Sequence, residues 1–419
     1  MATNSLINPE VITRESTLLL KNNLVMGNTV SRANQSDFRK IGSDLYVRKP
    51  NSFSVQSGAA TTPENVEEAW QKVSIQTQDN VSWEFSTRDL TLTVEEYSKR
   101  YIAPAMRALT HNIEYKLHSL YKKVYHSTGT PGTPPATFLE LAAGGTLLSD
   151  HAAPMGQRCS MLSTDATVQL ANQVGGFKSG YGANGKSLTA QEKVSIGYFG
   201  GFDNYESQSV NSHTAGIWDG SPVLDGATTG TTYAASKNNT TDSLSWTQTL
   251  HFDGATTDGA GYAKEGDVFT IADCYSVNPA NGKSTGKLQN FVVRADVTTA
   301  SNEADIVVSP PIIVAGPYKT CEFASGVSDL DGKALTPIAD STDGAAKQNL
   351  VYHKDAITFG MVPLEKPDST NWADTFSDDG YSMRAYKWLD GTNDKEMIRL
   401  DVMYFMDVVH PDLIARIHG

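Results

Sequence analysis

Cysteine is scarce in this chain: there are three, Cys159, Cys274 and Cys321, far apart and odd in number. No C-x-x-C pair occurs, so a zinc site, a redox dithiol and a disulfide-stapled scaffold are all unsupported, and the thiols read as free and buried in a reducing compartment. Charge is also thin, at 19% of residues against 39% hydrophobic ones, a balance that excludes intrinsic disorder. Basic residues are the rarer sign, 34 against 47 acidic for a net charge of −13, which argues against a simple reader of DNA sequence. No stretch approaches the roughly 18 unbroken apolar residues of a membrane helix. The most apolar one, Val402 to Val409, is interrupted by Asp407. The opening MATNSLINPEVITRE lacks the basic-then-apolar order of a signal peptide, so the chain is expected to be made and used in the cytoplasm, or released only by lysis.

What the chain does have is length and glycine. Its 419 residues exceed one ordinary core and suggest two or three domains. Its 34 glycines, with many Ser, Thr and Asn, point to turns and strands. Charge is unevenly spread. Residues 1–126 hold 15 basic and 13 acidic residues, whereas residues 201–345 hold 7 and 18, a net of −11. A middle segment with its own composition is a candidate inserted domain.

The elements read in order. Asn8 and Pro9 form a helix start, Val11, Ile12, Leu18 and Leu19 its apolar face, and Gly27 a stop. Tyr46–Pro50, Phe53–Gln56, Val73–Gln76 and Val81–Phe85 read as extended strands joined by a polar loop. Thr93 with Glu96 makes a capping box, followed by Val94, Tyr97, Tyr101, Ala105, Leu109, Ile113, Leu117, Leu120 and Val124 at steps of three or four. That stripe predicts a helix over 94–126, kinked at Pro104, with His111 and His118 on its polar side or rim. Ser163–Val174 reads as a short helix and Val194–Tyr198 as a strand. From Gly201 the pattern is β, with Leu244–Trp246, Asp267–Ile271, Asn290–Val293 and Ile306–Val308 separated by Asp-Gly turns, which suggests a small barrel or sandwich. At the end, Ile398, Leu400, Val402, Tyr404 and Met406 alternate onto one face.

Three motifs invite chemistry. Gly180–Ser187 fits G-x-x-x-x-G-K-S, the phosphate-cradling loop of NTPases, in which Gly185, Lys186 and Ser187 would carry the nucleotide. It lacks the preceding buried strand and the following long helix, so a glycine loop is the preferred reading. Gly282–Gly286 matches G-x-S-x-G but sits in a polar turn with no acid–histidine pair, so a hairpin loop is preferred. The acidic run Asp374, Asp378 and Asp379 lacks calcium-loop spacing and reads as a solvated loop. No catalytic residue, metal ligand or cofactor is therefore expected.

Several stretches in order resemble the major capsid (coat) proteins of tailed phages, of the short-tailed enterobacterial type with an inserted domain. They are Asn4–Glu10 with Leu24-Val25; Val47–Pro50; Thr91–Tyr97 leading into Tyr101–Ala105; Gly201–Asp203 with Glu206-Ser207; Gly266–Ile271 with Val277–Pro279 and Ser284–Gly286; and Arg399–Tyr404 with His410–Arg416. The resemblance implies an α+β, Hong Kong 97-type phage capsid fold with a long spine helix, extended loop, N-arm and inserted β-barrel domain. It implies an N-terminal arm over 1–37, extended loop and strands over 38–92, the spine helix over 93–128, an axial/peripheral domain from 129–202 and 336–419, and the insertion over 203–335. The implied function is a self-assembling icosahedral shell around the packaged genome, not an enzyme. The implied partners are other copies of the chain, a scaffolding protein, a portal and double-stranded DNA without sequence specificity, with no membrane. The implied location is the virion, assembled in the host cytoplasm. The rival readings are a P-loop NTPase using Gly185, Lys186 and Ser187, and a β-rich bacterial surface subunit.

Overall fold

The computed structural model describes residues 9–33, 44–48, 58–59, 70–75, 78–86, 98–176, 194, 196–226, 231–232, 246–316, 318–367, 372–390 and 395–419. The capping box at Thr93 and Glu96, the run Phe53–Gln56 and the glycine loop over 180–187 lie outside them. The chain divides into two compact units: 1–46, 73–118 and 357–407 form one, and 47–72, 119–356 and 408–419 the other.

The first unit is built on a four-stranded antiparallel sheet in the order Ala373–Asp378, Tyr381–Asp390, Lys395–Val402, Asp79–Ser86. Ile398, Leu400, Val402, Tyr404 and Met406 are all buried, as their alternation predicts, although Met403 breaks the run into two strands. The long helix is present as a π-helical turn Ser98–Ile102 followed by the α-helix Ala103–His118 and, in the second unit, the 3-10 turn Ser119–Lys123. Pro104 falls at the second residue of the α segment, just after the π turn, where its missing N–H is tolerated. The predicted stripe is buried: Leu109 is 2% exposed, and Ile113 and Leu117 are 0%.

Two expectations fail here. His118 is buried, not solvated, because it continues the stripe at Glu114 plus four. In the helix Pro9–Asn23, Val11 and Leu18 are exposed, and the buried face is Ile12, Thr13, Ser16, Thr17 and Leu20. The two threonine hydroxyls are satisfied by the preceding turn: Thr13 Oγ1 donates to Pro9 O at 2.9 Å and Thr17 Oγ1 to Thr13 O at 2.7 Å.

Two carboxylates organise this unit. Glu114 accepts from the backbone N–H groups of Val25, Met26 and Gly27 at 2.9, 3.2 and 3.3 Å. Burial drives its pKa up, and these bonds only partly offset that. Asp401, fully buried, takes Arg384 Nη2 at 2.6 Å and Arg399 Nε at 2.5 Å. The acidic run is not a solvated loop as expected: Asp374 and Asp378 lie on the strand Ala373–Asp378, Asp374 accepts from Lys366 at 2.7 Å, and Asp378 and Asp379 pair with Lys21.

The second unit holds two seven-stranded sheets. One, the sheet body, orders Ser127–Thr128, Ile414–His418, Ala345–His353, Arg158–Leu162, Phe202–Glu206 and Tyr198–Phe199, with Ser212–Thr214 on the far end of Ala345–His353. Among the described residues of the predicted strand Val194–Tyr198, only Tyr198 is in a strand, Tyr198–Phe199. Two helices serve this body. Phe138–Asp150 starts in a capping box, with Thr137 Oγ1 accepting from Glu140 N and Glu140 Oε2 from Thr137 N. Gly144 lets it approach the sheet: a Cβ there would stand 2.8 Å from Val351 Cγ2. The predicted second helix runs over Thr164–Gly176, with Ala166, Leu170 and Ala171 in the same core as Val351, Ala415 and Ile417.

The other sheet orders Cys321–Phe323, Val268–Val277, Ser284–Val293, Ala304–Ser309, Gln248–Asp253 and Val223–Leu224, and Leu335–Pro337 also pairs with Val268–Val277. A bridge from Val223 to Ala334, just before Leu335–Pro337, joins the last strand of this order to one that pairs with Val268–Val277, so the sheet nearly closes into a barrel. Its interior is Phe252, Tyr262, Phe269, Ile271, Phe291, Val293, Ile306 and Val308 with Cys274 and Cys321. All three cysteines are free and buried. Trp246 lies in a turn, not a strand.

Ile113→Asp tests the helix stripe. An unpaired buried charge costs on the order of 3–5 kcal/mol, so the variant is expected to aggregate. Soluble, normally assembling Ile113→Asp protein, seen by sedimentation and electron microscopy, would contradict this burial.

Candidate functional site

Among the described residues no group of His, Cys, Asp or Glu is arranged to hold a metal, and no helix is long and apolar enough to cross a membrane. Ser284 of the G-x-S-x-G match opens the second strand of a hairpin, exposed, with its Oγ accepting from Gly286 N at 3.2 Å. That is a turn contact. Gly185, Lys186 and Ser187 lie outside the described residues.

A buried polar cluster that sequence reasoning missed lies where the barrel is rooted in the sheet body, at Asp267. Asp267 precedes the strand Val268–Val277 and is 2% exposed. Its Oδ1 takes His213 Nε2 at 2.6 Å. Its Oδ2 takes Gly216 N at 2.9 Å, Trp218 Nε1 at 2.8 Å and Lys264 N at 2.8 Å. Burial alone would raise this carboxyl, but the bonds from His213, Lys264, Gly216 and Trp218 outweigh it and hold the pKa below the usual carboxylate value. With Nε2–H donated to Asp267, His213 Nδ1 accepts from Tyr121 O–H at 3.1 Å.

The neighbouring residue completes the root. Gly266 has φ +103°, and a Cβ on it would meet Lys122, His213 and Tyr121 at 3.2, 3.3 and 3.4 Å. Only glycine satisfies both the backbone angle and the close approach. Its carbonyl accepts from Nη2 of the fully buried Arg416 at 2.6 Å. Arg416 lies on the body strand Ile414–His418, with its guanidinium 5.9 Å from the Tyr121 ring centre. Burial brings its pKa down to about 10, with Tyr121 and Asp267 opposing the shift.

Next on the same face, His418 Nε2 meets Ser127 Oγ at 2.6 Å and its Nδ1 meets Gln348 Nε2 at 3.2 Å. The Gln348 carbonyl in turn accepts from Arg416 Nη1 at 3.4 Å. Burial, then Arg416 and His213, push His418 down to about 3. Around the rim, Lys122 Nζ pairs with Glu265 at 2.9 Å, Asn290 Nδ2 donates to Ser127 O at 3.1 Å, and Tyr125 packs with Val268 and Val292. The cluster fixes the direction of the barrel relative to the sheet that carries it.

This root is pH-sensitive with a definite sign. Folded His418 stays neutral to about pH 3, whereas in the unfolded chain it titrates near 6.5. Between those values the unfolded state binds the extra proton, so stability is full above pH 6.5 and falls as pH falls. Between pH 7 and pH 5 this should cost about 2 kcal/mol. Buried His126, also held well below its ordinary value, acts in the same direction. Urea titrations of unassembled subunits at both pH values should show the loss, reduced by about that amount in His418→Gln. An unchanged pH slope in the variant would contradict the assignment.

Comparison with known proteins agrees with an assembling, non-catalytic chain. The family described as "P22 coat protein - gene protein 5" matches residues 1–416. A protein described as "Major capsid protein", from Acyrthosiphon pisum secondary endosymbiont phage 1, is 26% identical over 330 residues, 76% of this chain and 74% of that one. Among solved structures, a chain of Mycobacterium phage Che8 aligns over 94% of this chain and 90% of its own, at 10% identity and a TM-score of 0.44. The mature capsid of bacteriophage PhiM1 aligns over 90% and 82%, at 10% identity and 0.41. The chain belongs to the P22 coat protein family, the major capsid proteins that form the shells of tailed bacteriophages.

Proposed function

We propose that this chain builds its shell with a scaffolding protein and a portal, around double-stranded DNA held without base readout. We also assign it the Hong Kong 97-type division implied by its family: arm 1–37, extended loop 38–92, spine 93–128, an axial/peripheral domain from 129–202 and 336–419, and a barrel insertion over 203–335. The observation that carries the orientation is charge. Residues 201–345 are net −11, while 1–126 are net +2. An acidic segment repels both other shells and phosphates, so it belongs on the outer surface. The near-neutral arm, loop and helix then lie on the DNA side. Contacts to DNA in this arrangement are non-specific and weaken with salt.

The test is placement of a label. An epitope inserted at the exposed turn Ser301-Asn302, between Val297–Thr299 and Ala304–Ser309, should bind its Fab on the outside of intact shells. Cryo-electron microscopy would show Fab density projecting outward from every subunit. Shells that bind Fab only after disruption would reverse the orientation.

A further inference from the structure

Beside the root of the barrel, within the second unit, lies a cavity of about 520 Å³ that shell formation leaves unexplained. That size falls within the roughly 300–1,000 Å³ of small-molecule sites. Its walls combine two kinds of group. Trp246, Tyr318 and Tyr125 supply aromatic surface, with the Trp246 and Tyr318 ring centres 5.9 Å apart and tilted by 55°. Asp355 and Asp412 supply carboxylates. Among the described residues neither carboxylate has a lysine or arginine salt bridge: Asp412 accepts from Tyr125 O–H, and Asp355 faces His353 Nδ1 at 3.6 Å. Lys319, the cation on the wall, is already committed to Glu322 at 2.7 Å and to Gly282 O at 3.3 Å. His151 also lines the wall, with Nδ1 on Leu147 O at 2.9 Å. The cavity thus presents net negative charge beside aromatic faces.

We infer that this cavity binds a small organic cation with an apolar stem, an arylalkylammonium or alkylguanidinium. The cationic head meets Asp355 and Asp412, and the stem lies against Trp246 and Tyr318. Aromatic faces attract cations through their quadrupoles, and more strongly where water is partly excluded. The walls come from both the barrel side (Trp246, Tyr318) and the body side (Asp355, Asp412), so an occupant bridges the two where the buried root already joins them.

Calorimetric titration of the unassembled full chain with phenethylammonium tests this, with neutral 2-phenylethanol as the matched control. Saturable one-site binding is expected, weakened about tenfold or more for the neutral analogue. Asp355→Asn, whose side chain is 59% exposed and so tolerates change, should weaken the cation about tenfold and leave the alcohol unaffected. Tyr318→Leu should weaken the cation severalfold. Equal binding of the cation and the alcohol, or no saturable binding by protein that circular dichroism shows to be folded, would overturn the proposal.

Discussion

A carboxylate removed from water must find donors on nearly every lone pair, and Asp267 meets that demand with four of them. Much of the second unit's geometry follows. Gly216 N and Trp218 Nε1 from one stretch and Lys264 N from another must converge on Asp267, which sets the path of the chain into and out of the barrel. His213 must reach Asp267 from one side and Tyr121 from the other. Gly266 must lack a Cβ for them to meet, and its freed carbonyl then holds Arg416. A buried arginine without a carboxylate in contact is costly. The Asp267 charge nearby, the Tyr121 ring and the Gln348 carbonyl are what it has instead.

For a non-enzymatic virion component this is a sensible use of buried charge. A shell subunit is repeated many times, so a small error in the angle of one part recurs at every lattice position. Apolar packing is tolerant of rearrangement, whereas hydrogen bonds to a buried ion fix direction. The first unit uses the same device at smaller scale, with Glu114 gathering the backbone N–H groups of residues 25–27 and Asp401 clamped between two arginines.

Periodic burial was legible in the sequence, and directional polar contacts were not. The stripe through Leu109, Ile113 and Leu117 and the alternation from Ile398 to Met406 both announced buried faces, because apolar spacing reports burial directly. In the helix Pro9–Asn23 apolar spacing finds Ile12 but misplaces Val11 and Leu18, because threonine hydroxyls satisfied by their own helix take buried positions. The capping box Thr137–Glu140 did carry a readable signal, a Thr-x-x-Glu before an apolar run. Barrel closure depends on Val223–Leu224, a strand too short to show alternation. Asp267 and Arg416 lie in stretches that carry the family resemblance, but their pairing gives no local signal, since His213 lies 54 residues from Asp267 and Gly266 lies 150 from Arg416.

Asp267 organises the root of the barrel. Native-state hydrogen exchange of Asp267→Ala subunits, followed by mass spectrometry, addresses it directly. Four donors would be left without an acceptor, so protection should fall first and most in Val268–Val277 and its neighbour Ser284–Val293. The body strands Ala345–His353 and Arg158–Leu162 should keep theirs. Unchanged protection in the barrel strands, or equal loss in both sheets, would contradict the account.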